Sequence, residues 1–597
     1  MLQNVNVNVN VPASHVSASA SASASAHGEA NVHQHPSDTP TVSKSPSPLA
    51  CESRRSDTPF SYYESQTTTR APSPAHALYS TTTEKSKGSE AQQQQQQDTE
   101  KGLSAFESRK GEGEAHRSDD AGLTTCSATA LKRSTTTQRA EMLSLPTDQL
   151  PTRLPKSTKW TYTILAALVF FNTGFAASAP SGAYEKIVAD LGMTSLQGSA
   201  VTSVYLAGLV FGPSIWAPLS ERRGRKMVNL LSLPLFTCWN VGCALAPNKQ
   251  TLIVMRFFAG LCGSAPASNS GAWISDVFEP RERVAPMMSY TFSAFLGPIL
   301  GPIVGGFLAD ANAWRWIFWL MCIQAMVFWS LCLILQRESY VPVLVVRRAS
   351  ILRQTTGDDL IRAPLEKEPL KVKDVIHTHM LRPLTMLVTE PPVMYTAAWM
   401  GFSYGLIFLY LEAFPVVFGK MHGFNAGEVG LSFLPLAVGM VLSFPVVAHY
   451  NKRYLRARQA AGKPVPEARL SMTCLSAPCF AIGLFMFGWT STPNIHWIVP
   501  MIAEIPLGLG LIFAFNSLGV YVSECYLSYV ASALAAAALS RSSFGAFCPL
   551  FGRPAFEWSV PYMCSILGGL CLLVSPVPFY FSKYGPALRR RSKLAIK

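Results

Sequence analysis

The sequence predicts an all-α membrane protein, with twelve transmembrane helices in two six-helix halves and a disordered N-terminal tail. Three observations carry this reading. Of 597 residues, 49% are hydrophobic and only 14% are charged, and nearly all the apolar mass follows Trp160. Beyond that point, apolar runs near the ~20 residues that a membrane-crossing helix needs recur twelve times. The stretches between the runs alternate between basic and nearly uncharged.

In chain order, residues 1–155 come first, with a Ser-Ala alternation at 17–26 and a glutamine run at 92–97. Such composition buries too little apolar surface to offset chain entropy, so this tail is expected to be disordered. The chain opens on Asn, Val, Ser and Ala rather than a basic stretch and an apolar core. No cleavable signal peptide is expected, and the first span directs insertion itself. Spans are predicted near 161–181, 198–219, 227–246, 251–273, 286–309, 314–335, 393–418, 428–449, 471–490, 496–520, 530–550 and 560–582. Arg256 in the fourth run and Glu504 with Pro506 in the tenth are tolerated where a helix faces protein or a water-filled cavity.

The basic stretches follow the even-numbered spans: Arg222, Arg223, Arg225 and Lys226; Arg281 and Arg283; Lys452, Arg453, Arg456, Arg458, Lys463 and Arg469. The C-terminal tail adds Lys583, Arg589, Arg590, Arg591, Lys593 and Lys597. After the odd spans stand single cations such as Lys186, Lys249, Lys420 and Arg553. The positive-inside rule then places both termini and every even-to-odd loop in the cytoplasm. Topology accounts for the net charge of +14, and no nucleic-acid partner is expected, since no RNP-like motif or zinc-finger spacing accompanies it. The organisation reads as a disordered cytoplasmic tail at 1–155, a six-helix bundle at 160–336, a cytoplasmic linker at 337–385, a second bundle at 386–582 and a basic tail at 583–597. Two such halves suit rocking about a site at the bilayer midplane.

The thirteen cysteines are scattered through apolar runs with no CxxC pair, and the isolated His377-x-His379 is a weak metal signal, so no metal site is expected. No HEXXH, GxSxG or acyltransferase-like His/Asp pair points to an enzyme.

Three motifs carry chemistry. The run from Gly212 to Lys226 reads GPSIWAPLSERRGRK; Gly224 offers backbone freedom for a tight turn, and Glu221, Arg222, Arg225 and Lys226 can latch neighbouring helix ends. The fourth run, MRFFAGLCGSAPASNSGAWISD, sets Arg256 inside an apolar helix, where an unpaired arginine is expensive. The fifth, GPILGPIVGG, puts Gly297, Gly301 and Gly305 on one face, beside Pro298, Pro302 and Gly306. A neighbouring helix can approach that face closely, and the prolines bend it.

Together these motifs resemble those of the major facilitator superfamily, in particular its fungal twelve-spanning drug:proton antiporters, including polyamine and multidrug exporters. The GRK turn is similar to the family's cytoplasmic loop motif, with Glu221 where Asp is usual and Ala217 where Gly is usual. The fifth run resembles its antiporter motif. WRWIFW at 314–319, EAFPVVF at 412–418, PEARL at 466–470 and ASALAAAALSRSSFGAFCPLFGRP at 531–554 extend the likeness across 160–597. The resemblance implies a proton-driven exporter of small organic molecules such as drugs, toxins, secondary metabolites or polyamines. It implies no cofactor beyond the proton gradient, a monomer in the lipid bilayer, and a place in the plasma membrane or, alternatively, the vacuolar membrane. A same-fold importer and a non-transporting sensor are the rival readings. For proton coupling and the substrate cavity the candidates are Arg256, Glu504, Glu412, Tyr404, Asn516 and Asn172, with Glu504 the deepest carboxylate. A carboxylate that can be neutralised suits organic cations, which aromatic rings such as Tyr404 can also hold.

Overall fold

The structure is a computed structural model that describes residues 143, 145–146, 150–279, 282–367, 377–462, 465–526, 529–592 and 594. Almost all of the N-terminal tail therefore lies outside the described residues, as do the side chain of His379 and the cations Arg281, Lys463, Lys593 and Lys597. Among the described residues every regular element is helical.

Eleven of the predicted spans are helices long and apolar enough to cross a membrane: Lys156–Gly182, Arg225–Ala244, Lys249–Val277, Val284–Asp310, Arg315–Leu335, Pro391–Met421, Ala426–Ala460, Pro466–Thr490, Ile498–Cys525, Val530–Trp558 and Val560–Arg590. The remaining one, span 2, is a pair, Ser195–Phe211 and Pro213–Arg223, bent by 41°. Pro213 carries no N–H for the helix before it and has a fixed φ suited to the first turn of a new one. Thr194 starts this span with a capping box, its hydroxyl accepting from Gln197 N–H and its own N–H donating to Gln197 Oε1.

Two helices run past their predicted ends into basic sequence. The helix Leu434–Ala461 continues through Lys452, Arg453, Arg456 and Arg458 and stops where Gly462 turns at φ +65°. Hydropathy falls at those charges, yet Lys, Arg, Leu and Ala are good helix formers, so the backbone needs a glycine to end it. The last helix likewise runs to Arg591. In the linker, Val341–Thr356 is a helix ending at Gly357, and Arg353 pairs with Glu366 at 2.8 Å, holding that carboxyl below its ordinary range.

Span 1 packs on span 5, span 2 on span 4 and span 3 on span 6, while spans 7 and 11, 8 and 10, and 9 and 12 pair in the second half. Side chains such as Ile334 and Leu573, both 76% exposed, mark the lipid-facing surface. The halves meet where span 5 lies against the first turns of span 8 and where span 2 lies against span 11.

Candidate functional site

The contact between halves is most polar at the end opposite the basic stretches. Gly427 N–H donates to Asp310 Oδ2 at 2.9 Å, joining span 8 to span 5. Arg553 reaches across to Glu185 at 3.1 Å, stacks over Tyr184 at 4.0 Å, and lies 3.5 Å from Glu557, which also holds Lys420 at 2.6 Å. Hydropathy places Arg553 in an outer loop after the eleventh span; the helix instead continues to Trp558 and buries it. The break expected near 550 does not occur, because Pro549 and Pro554 are absorbed within the helix.

Beneath this ion cluster lies Glu412, 4% exposed. It borders a small enclosed space between the halves, formed with Ser181, Tyr184, Val201 and Thr202 of the first half. The Ser199 hydroxyl faces the carboxylate, and Gly552 of span 11 lets its stem lie close, with a Cβ there only 3.3 Å from Glu412. Glu412 therefore touches both halves.

Nearer the middle of the bundle an aromatic group spans the halves. Phe295 of span 5 meets Phe515 of span 10 edge-on at 4.7 Å and Tyr404 of span 7 at 6.4 Å. Arg541 of span 11 lies over the Tyr404 ring at 5.3 Å. Asn516 is half-buried in span 10. Asn172 is buried in span 1, and its Oδ1 has no hydrogen-bond partner among the described residues. Arg541, within the family-like segment 531–554, carries the same sequence signal as Arg256, a cation inside an apolar run.

Arg256 and Glu504 sit elsewhere. Arg256 is fully buried within the first half, donating from Nε to Val201 O at 3.1 Å and from Nη2 to Ala176 O at 2.8 Å, with its guanidinium over Tyr205 at 4.3 Å. Pro180 removes the N–H that would have paired with the Ala176 carbonyl, and Arg256 replaces it. Glu504 is fully buried inside the second half, where the Leu436 N–H in the first turn of the helix Leu434–Ala461 faces it. Neither of its oxygens makes a hydrogen bond of normal geometry. The structure thus brings Glu412 and Tyr404 to the seam between halves and leaves Arg256 and Glu504 in separate interiors.

The glycine stripe of span 5 packs on span 1. A Cβ on Gly297 would come 2.6 Å from Phe175 N, and one on Gly301 would come 2.8 Å from Ala179 N. Gly305 approaches Ala179 and Gly182, and Pro298 lies against Gly174. Pro302 belongs to the same helix, its carbonyl facing Gly182 and Gly430. Gly306 instead faces Ala426 and Gly427 of the second half.

At the basic end, Gly224 turns at φ +96° and opens span 3. Glu338 accepts from the backbone N–H groups of Arg225 (2.9 Å) and Lys226 (3.2 Å), capping the new helix with a negative charge. Arg225 is buried, pairing with Asp276 at 3.2 Å and stacking over Tyr340 at 4.6 Å. Lys226 Nζ donates to Leu333 O at 3.1 Å. Glu221 and Arg222 lie half-buried on the preceding helix. The second half repeats the device: Arg469 pairs with Glu524 at 3.2 Å over the Tyr454 ring, and Arg589 pairs with Glu467 at 2.7 Å.

The family described as Major Facilitator Superfamily matches residues 166–549. The efflux pump FUBT of Fusarium oxysporum is 37% identical over 447 residues, covering 74% of this chain and 75% of its own. The major facilitator superfamily multidrug transporter mdrA of Aspergillus fumigatus is 36% identical over 442 residues, 74% of this chain and 73% of its own. The efflux pump atB of Aspergillus terreus is 39% identical over 405 residues, 66% of this chain and 84% of its own. Among solved structures, a partially occluded inward open conformation of the xylose transporter XylE from E. coli aligns with a TM-score of 0.52 at 17% identity, over 71% of this chain and 99% of that one. That likeness is one of fold.

Proposed function

We infer the activity from one premise: the chain belongs to the major facilitator superfamily, and its relatives at 34–39% identity include efflux pumps. It is a multi-span efflux transporter of small molecules, a transporter rather than an enzyme. Beyond that, we propose that the proton gradient drives it and that no cofactor takes part. Both termini lie in the cytoplasm, as the basic stretches favour, and the protein acts as a monomer in the plasma membrane. The bundles at 160–336 and 386–582 rock about the seam, with 337–385 as linker. With the basic end in the cytoplasm, the contacts of Glu185 with Arg553 and of Asp310 with Gly427 close the outer end of the seam.

The observation that carries the proton step is the place of Glu412, a buried carboxylate touching both halves directly under the outer ion cluster. Opening the outer end would expose it to the outside, and closing it again would turn it back toward the inner side. Such a group can pick up a proton on one side and release it on the other. Glu504, enclosed in one half, serves as a partner of a helix N-terminus instead. Arg225, Asp276 and Glu338 latch the cytoplasmic end of the first half.

The test is a yeast host stripped of its own pumps, screened with a panel of toxins and metabolites. Wild-type protein should lower intracellular accumulation of some of them. Glu412→Gln should reach the membrane and fail to do so. Normal export by Glu412→Gln would move the proton step to another residue.

A further inference from the structure

The C-terminal segment is held at the basic end of the second half by three contacts that the proposed cycle does not use. Arg589 Nε donates to Glu467 Oε1 at 2.7 Å, and a Cβ on Gly585 would come 2.6 Å from the stem of that same Glu467. The helix Pro576–Arg591 stops one turn later, and the next residue, Ser592, donates its hydroxyl to Glu390 Oε2. Beyond it, Leu594 packs on the main apolar core. Glu390 is the centre of this arrangement. It stands just before span 7, is 2% exposed, and accepts a second hydroxyl at 3.0 Å from Tyr526, at the end of span 10. Ser592 is itself only 5% exposed. A carboxylate so far from water depends on the donors that face it, and here its side-chain partners are two hydroxyls.

The sequence around this hydroxyl is as specific as its contacts. Arg589, Arg590 and Arg591 immediately precede Ser592. Protein kinases that choose substrates by charge read such runs, because acidic groups in their peptide grooves pair with arginines two and three residues before the serine. In the proposed orientation this end of the molecule lies in the cytoplasm, where ATP is available.

We propose that Ser592 is a phosphorylation site for an arginine-directed protein kinase, and that its phosphate releases the C-terminal segment and lowers export. In the step, Ser592 Oγ attacks the γ-phosphorus of ATP. The Oγ–P bond forms, the bond from that phosphorus to the bridging oxygen breaks, ADP leaves, and the hydroxyl proton passes to a carboxylate of the kinase. Phosphoserine carries about −1.5 to −2 charges and has no hydroxyl hydrogen to give. It therefore loses the bond to Glu390 and meets that carboxylate as a buried like charge. Its oxygens also compete with Glu467 for Arg589. Because the docked hydroxyl is buried, the kinase acts on the undocked segment and its product traps that form. Release unties the last helix from Glu390, Glu467 and Tyr526, at the ends of spans 7, 9 and 10. Rocking moves each half as a body, so a loosened second half exports more slowly. The proposal goes beyond the efflux reading, and docking is measured without transport.

The test treats full-length protein in detergent with the catalytic subunit of the cyclic-AMP-dependent kinase and ATP. Mass spectrometry locates the phosphate, and amide hydrogen exchange over residues 585–592 reads docking. Phosphate should appear on Ser592. Exchange in the last helical turn should then rise about tenfold or more, the effect of losing a hydrogen bond to a charged group. Ser592→Asp should show the same rise without kinase, whereas Ser592→Asn, equal in size but neutral and able to donate, should stay docked. Adding Glu390→Gln to Ser592→Asp should restore protection, because it removes the like charge. In the yeast host, at equal surface levels, Ser592→Asp should lower export and Ser592→Asn should not. Phosphorylated wild-type protein decides the docking question even if a variant fails to fold. A Ser592 without phosphate, under a kinase that labels its reference peptide, overturns the site. Unchanged exchange in the phosphorylated protein, or equal exchange in the Asp and Asn variants, overturns the release. Undiminished export by an undocked Ser592→Asp overturns the control of export. A wild-type protein that exports none of the compounds would count against the efflux reading instead, on which the phosphate and exchange measurements do not depend.

Discussion

Arg256 shows how one side chain can join three helices. Its guanidinium fills the donor vacancy that Pro180 leaves at the Ala176 carbonyl and reaches Val201 of span 2 with a second N–H. An ammonium has no planar fork, so Arg256→Lys should keep one of these bonds and Arg256→Ala neither. Removing both leaves a buried carbonyl unpaired, a loss of about 3 kcal/mol or more. Thermal unfolding in micelles should rank wild type above Arg256→Lys above Arg256→Ala, and equal stability of all three would show that the carbonyls find other donors. Arg256 was legible in the sequence because a charge inside an apolar run is conspicuous. Its partners were not, since backbone carbonyls leave no trace in composition. Asp276 and Glu338 stayed hidden for a related reason: they meet Arg225 across 51 and 113 residues of chain. The two carboxylates Glu412 and Glu504 were both visible, but which of them reaches the seam depends on helix rotation, and hydropathy does not encode rotation.

At the scale of elements, the glycine stripe is a packing device within the first half. A side chain on Gly301 would press on the Ala179 backbone, which cannot move aside as a flexible side chain can. Gly301→Leu should therefore separate spans 1 and 5 and lower both the yield of folded protein and export. Gly519→Ala, in a helix where a Cβ meets nothing within 4 Å, should be neutral or slightly stabilising. Size-exclusion profiles and thermal unfolding of the two variants check this; a well-folded Gly301→Leu would mean that the helices tolerate a wider spacing. Twelve spans were legible because each is about twenty apolar residues between polar stretches. The bend in span 2 was less so, although Gly212-Pro213 stood in plain view. Hydropathy records what a segment is made of and not the direction in which it continues. The same limit explains why span 8 outlasts its apolar run and ends only at Gly462.

For the whole molecule, the ion cluster and Asp310 contact close one end of the seam, and basic networks brace each half at the other. Both networks would face the cytoplasm in the proposed orientation. A tag placed before Trp160 should then be protected from protease added to intact cells, and cleavage from outside would invert the topology. Truncation of residues 1–150, whose composition points to no fold, should leave export intact in protein that reaches the membrane. Loss of export at normal surface levels would give the tail a mechanical role. In the proposed cycle, protons moving the opposite way through Glu412 would drive export. Inside-out vesicles with an acid lumen and a pH dye inside measure this directly, using a compound identified in the cell screen. Adding the compound should drive its accumulation in the lumen together with a rise in lumen pH, and Glu412→Gln should abolish both. Accumulation against a gradient with no change in lumen pH, or undiminished in Glu412→Gln, would contradict it.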